Sequence, residues 1–174
     1  MPDKQLTHSE TKFNARESGC SESGCSEINV LLERLDSRAN LGSIFRNSEA
    51  FGVVNIWVHE ANRDYLKSNR FKRTSRSTEY NLNILFYKDK ASVLNDFEGT
   101  TIGVEITENS ESISFLKKDF KRKILLVLGN EKLGINSETL NRLDKNYHIK
   151  MFGTNSSLNV AQTLGIALYE IRRE

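Results

Sequence analysis

Short apolar runs alternate with amphipathic stretches along most of the chain. INVLL (28–32), VVNIWV (53–58), NLNILFY (81–87), TTIGVEIT (100–107), KILLVLG (123–129) and YHIKM (147–151) read as strands. Between them lie helical patterns. In LGSIFRNSEAFG (41–52), Leu41, Ile44, Phe45, Ser48 and Phe51 recur at helical spacing, and Arg46 falls off that stripe. KASVLNDF (90–97) and SETLNRL (137–143) are shorter helices, the second with a Ser N-cap signal. SLNVAQTLGIALYEIRR (157–173) is the last helix, with Val160, Ala161, Leu164, Leu168 and Ile171 on one face. Strand–helix alternation with apolar strands predicts an α/β fold, a mostly parallel sheet with helices on both faces. Ligands of such sheets gather at the carboxyl ends of the strands.

The first 27 residues lack this patterning. They hold the repeated, Ser/Gly/Glu-rich ESGCSESGC, and so read as a flexible tail ahead of one domain spanning 28–174. Both cysteines, Cys20 and Cys25, lie there with only His8 nearby, too few ligands for a zinc site. No metal is expected. No run approaches the ~20 apolar residues of a membrane span, and the N-terminus lacks a signal-peptide core. A soluble, cytoplasmic protein is expected, with no membrane partner.

The chain has 174 residues, of which 37% are hydrophobic and 28% charged, with a net charge of only +2. Distribution therefore matters more than the total. The segment 62–76 carries Arg63, Lys67, Arg70, Lys72, Arg73 and Arg76 against a single Asp64, with Tyr65 and Phe71 interleaved. KKDFKRK (117–123) is a second basic cluster. Either could be a solvated face, or could neutralise RNA phosphates while an aromatic stacks on an unpaired base.

Three loops at expected strand ends hold the unusual residues. In NLGSIFR, Asn40 is placed to cap a helix, and Arg46 reads either as a solvated arginine or as a cation near a phosphate or reacting hydroxyl. In LGNEKLG (128–134), Gly129 and Gly134 permit a sharp turn and close approach to a ligand. Glu131 between them is either a helix-start carboxylate or a group orienting a partner or substrate. In GTNSSLNV (153–160), Ser156 or Ser157 can cap the last helix, and Asn159 falls in its first turn.

Together these stretches resemble the three motifs of the TrmH (SpoU) group of SPOUT RNA methyltransferases. N-x-G-x-x-x-R followed by AFG is met by Asn40, Gly42, Arg46, Ala50, Phe51 and Gly52. L-G-x-E-x-x-G is met by Leu128, Gly129, Glu131 and Gly134. M-x-G-x-x-x-S-L-N-V is met by Met151, Gly153, Ser157, Leu158, Asn159 and Val160. The chain departs from the group at Lys150, where proline is common, and at Ala161 and Gln162, where Ser-Val often follows.

The resemblance implies a SPOUT-type fold with a C-terminal trefoil knot and a homodimer whose active sites lie close to the subunit interface. Ile166 and Tyr169 lie away from the core stripe of the last helix and could pack in that interface, or simply widen the buried face. The resemblance further implies S-adenosylmethionine as cofactor. Backbone groups near Gly129, Ile149, Met151 and Leu158 would hold its adenine and ribose, and Val104, Glu105 and Ile106 would close another side. Arg46, Asn40, Glu131, Ser157 and Asn159 would form the catalytic set for methylation of an RNA ribose 2′-hydroxyl. GVEIT and LGNEKLGI look most like the branch that methylates a guanosine in the tRNA D-loop. Ribosomal RNA is the alternative substrate. A non-catalytic RNA-binding member of the fold is a second rival. A generic nucleotide-binding α/β domain is a third, and the chain lacks the G-x-G-x-x-G or Walker loop it would need.

Overall fold

The computed structural model describes residues 26–116 and 123–173. The cysteine-bearing tail, apart from Ser26 and Glu27, and the second basic cluster, apart from Lys123, lie outside the described residues.

Seven strands form one sheet: β1 Glu27–Leu32, β2 Val53–His59, β3 Asn83–Tyr87, β4 Thr100–Val104, β5 Glu111–Ser112, β6 Lys123–Leu128 and β7 Lys145–His148. Their order is β3-β2-β1-β6-β4-β7-β5. Every ladder between them is parallel. The helices are α1 Arg38–Ala50, α2 Asn69–Ser75, α3 Lys90–Asp96, α4 Ser137–Leu140 and α5 Val160–Arg172, with 3₁₀ turns at Glu60–Lys67, Thr78–Tyr80 and Ile113–Phe115.

The central strands are buried on both faces, so neighbouring residues of one strand feed different cores. Ile28, Val30, Leu32, Ile124, Leu126 and Leu128 pack with Leu41, Ile44 and Phe45 of α1, Phe71 of α2 and Leu164, Ala167 and Leu168 of α5. Leu31, Leu125 and Val127 face the other way, against Val93, Leu94 and Phe97 near α3 and Leu140 and Leu143 near α4. Helices on both faces of a parallel sheet agree with the pattern read from the sequence.

Polar residues also set the register. Asn55 Nδ2 donates to Asn29 Oδ1 at 2.6 Å, and Asn83 Nδ2 donates to Asn55 Oδ1 at 2.5 Å. These asparagines are register partners on β1, β2 and β3. Asn29 is fully buried, and its own amide also donates to the Ile124 carbonyl. A side-chain ladder thus crosses four strands where an unpaired buried amide would be costly.

Several boundaries move from their expected places. The strand expected over 100–107 ends at Val104, and the one expected over 147–151 runs from Lys145 to His148, so Ile149, Lys150 and Met151 belong to the following loop. β1 begins at Glu27, one residue inside the expected tail. At each expected helix cap a better-placed residue takes the role. Ser37 caps α1 by accepting from Asn40 N, so Asn40 is not the cap. Asn136, not Ser137, caps α4. Asn159, not Ser156 or Ser157, caps α5 by accepting from Ala161 N. The basic segment contains a helix, α2, that periodicity had not revealed. It packs closely on α1: a Cβ on Gly42 would lie 2.1 Å from Thr74 Oγ1 and 2.6 Å from the Phe71 carbonyl oxygen.

Candidate active site

The carboxyl ends of β1, β4, β6 and β7 open into a cleft of about 530 Å³, within the range of small-molecule sites. Its first wall is the loop after β6. Asn130 and Gly134 exchange backbone hydrogen bonds at 3.0 Å, closing a tight turn around Glu131, Lys132 and Leu133. Gly134 has φ +64°, a conformation that favours glycine. A Cβ on Gly129 would lie 2.3 Å from the Gly134 carbonyl carbon, so the close approach expected at Gly129 is to the chain's own backbone.

Glu131 joins this loop to the one after β1. Its carboxylate accepts from Asp36 N at 2.9 Å, Ser37 N at 3.1 Å and Asn40 Nδ2 at 2.8 Å. Both readings of Glu131 therefore hold, but the helix start it serves is that of α1 and not one of its own. A carboxylate there meets free backbone N–H groups and the positive end of the helix dipole.

The third motif enters through Asn159. Its Nδ2 donates to Asn40 Oδ1 at 2.9 Å while its Oδ1 caps α5. Glu131, Asn40 and Asn159 thus form one hydrogen-bonded chain across three distant stretches of sequence. Asn40 can donate only with Nδ2 and accept only with Oδ1. Its amide orientation follows from the carboxylate on one side, and it orients Asn159 in turn.

The other walls come from β4 and β7. Glu105 Oε1 accepts from Ile106 N at 3.0 Å and Oε2 from Ile135 N at 2.9 Å, tying the ends of the β4 and β6 loops together. His148 Nδ1 lies 3.0 Å from Ser110 Oγ and 3.1 Å from the Ser110 carbonyl oxygen. Val104, Glu105, Ile106, Gly129, Ile149, Met151 and Leu158, the expected cofactor residues, all line the cleft. So do Asn40, Glu131, Ser157 and Asn159 of the expected catalytic set. The apolar side chains Ile106 and Leu158 stay 56% and 37% exposed within it. This open apolar surface beside polar groups suits a flat heterocycle with a polar tail.

Arg46 is not brought to the cleft. It is exposed on α1, beyond the turn that carries Asn40, and its side chain has no hydrogen bond or ion pair among the described residues. The Glu131 carboxylate binds Asp36, Ser37 and Asn40 and makes no contact with Arg46 of the same chain.

Asn130, Lys132, His148, Ser156 and Thr163 also line the cleft, beyond the site residues the sequence pointed to. Asn130 had a signal, since it adjoins Glu131. Its Nδ2 donates to the Arg34 carbonyl at 2.7 Å, and its Oδ1 accepts from Lys132 N at 2.8 Å and Leu133 N at 3.1 Å.

The basic segment is exposed but unevenly free. Arg63 pairs with Glu60 at 3.8 Å and lies over the Phe86 ring, and Lys67 pairs with Asp64 at 2.9 Å. Arg70, Lys72, Arg73 and Arg76 are exposed with no ion pair among the described residues. Phe71 is buried edge-on against Phe45, so it cannot stack on a base. Tyr65 has the Arg38 guanidinium over its ring, 4.9 Å from the centroid. No described helix is long and apolar enough to cross a membrane, and no three-residue metal-ligating group occurs among the described residues.

Residues 27–169 match the model of the SpoU rRNA Methylase family. The tRNA (guanosine(18)-2′-O)-methyltransferase of Aquifex aeolicus is 28% identical over 151 residues, which are 85% of this chain and 70% of that one. The 23S rRNA (uridine(2479)-2′-O)-methyltransferase of Streptomyces viridochromogenes is 30% identical over 154 residues, 84% of this chain. The chain spans only 53% of that relative's length. Among solved structures, the A. aeolicus TrmH/SpoU tRNA modifying enzyme superposes with a TM-score of 0.76 at 23% identity, covering 94% of this chain and 82% of that one. The SpoU methyltransferase AviRb of S. viridochromogenes, in complex with the cofactor AdoMet, superposes at 0.73 and 23% identity, covering 84% and 59%. These likenesses support the fold.

Proposed function

Because the chain belongs to the SpoU rRNA Methylase family, we propose that it methylates a ribose 2′-hydroxyl of RNA with S-adenosylmethionine as methyl donor. The observation that carries this reading is the Glu131–Asn40–Asn159 hydrogen-bond chain on the rim of the cleft. The A. aeolicus relative is named for guanosine 18 of tRNA, which favours tRNA, and the resemblance of GVEIT and LGNEKLGI makes a D-loop guanosine the favoured target. The Streptomyces relative's name keeps 23S rRNA as the second reading.

Bound S-adenosylmethionine supplies an electrophilic methyl group on a sulfonium. Val104, Ile106, Ile149, Met151 and Leu158 would enclose its heterocycle, with backbone near Gly129 holding the ribose. Transfer would form the O–CH₃ bond as the S–CH₃ bond breaks, with the hydroxyl proton passing to solvent water, so much of the rate would come from alignment. Ser157, Asn40 and Asn159 would position the hydroxyl. Arg46 has no lone pair to accept that proton. Its role is that of a cation stabilising developing alkoxide and fixing the adjacent phosphate. Since Arg46 stands outside the cleft of its own chain, this role goes with assembly as a homodimer, in which exposed Ile166 and Tyr169 of α5 would be covered. The trefoil knot, residues 28–174 as the catalytic domain, Arg63, Lys67, Arg70, Lys72, Arg73 and Arg76 as RNA contacts, and a cytoplasmic location complete the proposal.

The test is methyl transfer from labelled S-adenosylmethionine into separate bulk tRNA and rRNA pools, followed by mapping of 2′-O-methyl positions. Label in tRNA supports the favoured substrate, and label in rRNA alone selects the second. Cofactor binding without transfer to either pool would leave a non-catalytic member of the fold.

A further inference from the structure

We propose that Arg34 and Arg38 form an RNA-backbone grip beside the candidate active site, with Tyr65 holding Arg38 in place. The inference rests on the RNA-methylating reading above and assigns two cations that reading does not use.

The loop carrying them is fixed along its length. Glu33 N donates to the Leu128 carbonyl at 2.9 Å. The Arg34 carbonyl accepts from Asn130 at 2.7 Å. Leu35 exchanges both backbone groups with the buried Asn62 side chain, at 2.9 and 2.8 Å. Asp36 and Ser37 give their N–H groups to Glu131. Leu35 points into the core while Arg34, Asp36 and Arg38 are exposed on either side of it. The two arginines therefore project from the rigid segment that also positions Asn40 at the cleft.

Their charges are not cancelled locally. Asp36, the acid between them, pairs with Lys132 at 3.5 Å. Neither Arg34 nor Arg38 has an acidic partner among the described residues. The Arg38 guanidinium rests over the Tyr65 ring, and the Tyr65 hydroxyl donates to the Asp36 carbonyl at 3.4 Å. A guanidinium already stacked and oriented loses less freedom when it forms hydrogen bonds to a phosphate. It also occupies the ring face that an unpaired base would otherwise use. The free cations of α2, by contrast, belong to an element that contributes nothing to the cleft.

The experiment measures binding of a fluorescently labelled bulk tRNA pool across salt concentrations, with cofactor binding followed separately by calorimetry. Each phosphate contact contributes roughly 0.7–0.9 to the slope of log affinity against log salt. The double variant Arg34→Ala/Arg38→Ala is expected to flatten the slope by about 1.4–1.8 and to bind S-adenosylmethionine as the unchanged protein does. Tyr65→Leu keeps every charge, so it should weaken tRNA binding several-fold at an unchanged slope. Circular dichroism confirms that each variant is folded. A double variant with the original slope overturns the grip and leaves the methyltransferase reading intact. An unchanged protein that binds no tRNA overturns the grip alone, and one that also fails to bind the cofactor overturns the methyltransferase reading with it.

Discussion

Asn159 donates its side-chain amide to Asn40 at 2.9 Å, across 119 residues of chain. The same Asn159 caps α5 with its oxygen, and the same Asn40 donates to Glu131. One asparagine thus does two separable jobs, and substitution can separate them.

Asn159→Asp keeps an oxygen for the cap and loses the donor to Asn40. Asn159→Ala loses both. The aspartate variant should stay within about 0.5 kcal/mol of the unchanged protein in urea unfolding, and the alanine variant should lose about 1 kcal/mol. Both should lose at least about tenfold in methyl transfer, since a 1 Å misplacement near a reacting centre can cost about a hundredfold. Normal turnover by the aspartate variant would remove the hydrogen-bond chain from the mechanism.

The Arg46 side chain is exposed and makes no hydrogen bond or ion pair among the described residues. Arg46→Ala should therefore unfold within about 0.5 kcal/mol of the unchanged protein and bind S-adenosylmethionine with nearly unchanged affinity. Methyl transfer should be abolished. Retention of near-normal turnover would show that the role assigned to this arginine is wrong.

Gly42 sits where α1 and α2 nearly touch. Gly42→Ala places a methyl against Thr74 and the Phe71 carbonyl, and backbone cannot rotate aside as a side-chain tip can. Overpacking of this kind costs about 1–3 kcal/mol. The urea midpoint should fall accordingly. A variant as stable as the parent would mean the two helices separate without penalty.

Tyr87 is buried, and its hydroxyl donates to the Leu32 carbonyl at 2.6 Å. Burial raises its pKa well above the usual tyrosine value, and nearby Glu33 adds to the rise. The folded state therefore holds this proton more tightly than the unfolded state. Its contribution is fully present below about pH 10 and is lost as the pH climbs from there toward the folded value. Tyr87→Phe should cost about 1–3 kcal/mol at pH 8, through the carbonyl left without its donor. It should also flatten the decline in stability above pH 10. An alkaline limb as steep as the parent's would mean that Tyr87 ionises freely in the folded protein.

Local pattern determined most of the elements and their order, though neither α2 nor the two-residue β5. Apolar runs such as KILLVL make strands buried on both faces, and the stripe of Leu41, Ile44 and Phe45 makes α1, because solvent exclusion acts on every residue according to its own side chain and near neighbours. The three motifs were legible for the same reason: their spacing is written within short stretches. Caps were not. Ser37 and Asn40 are both able caps, as are Ser156, Ser157 and Asn159. The choice fell to partners far along the chain, with Glu131 taking the N–H groups of Asp36 and Ser37 and the amide of Asn40. Strand order, the asparagine ladder joining Asn29, Asn55 and Asn83, and the position of Arg46 outside the cleft were likewise decided only in three dimensions. A hydrogen bond is satisfied by whichever complementary group the fold brings within about 3 Å, and nothing in a residue's own neighbourhood names that group.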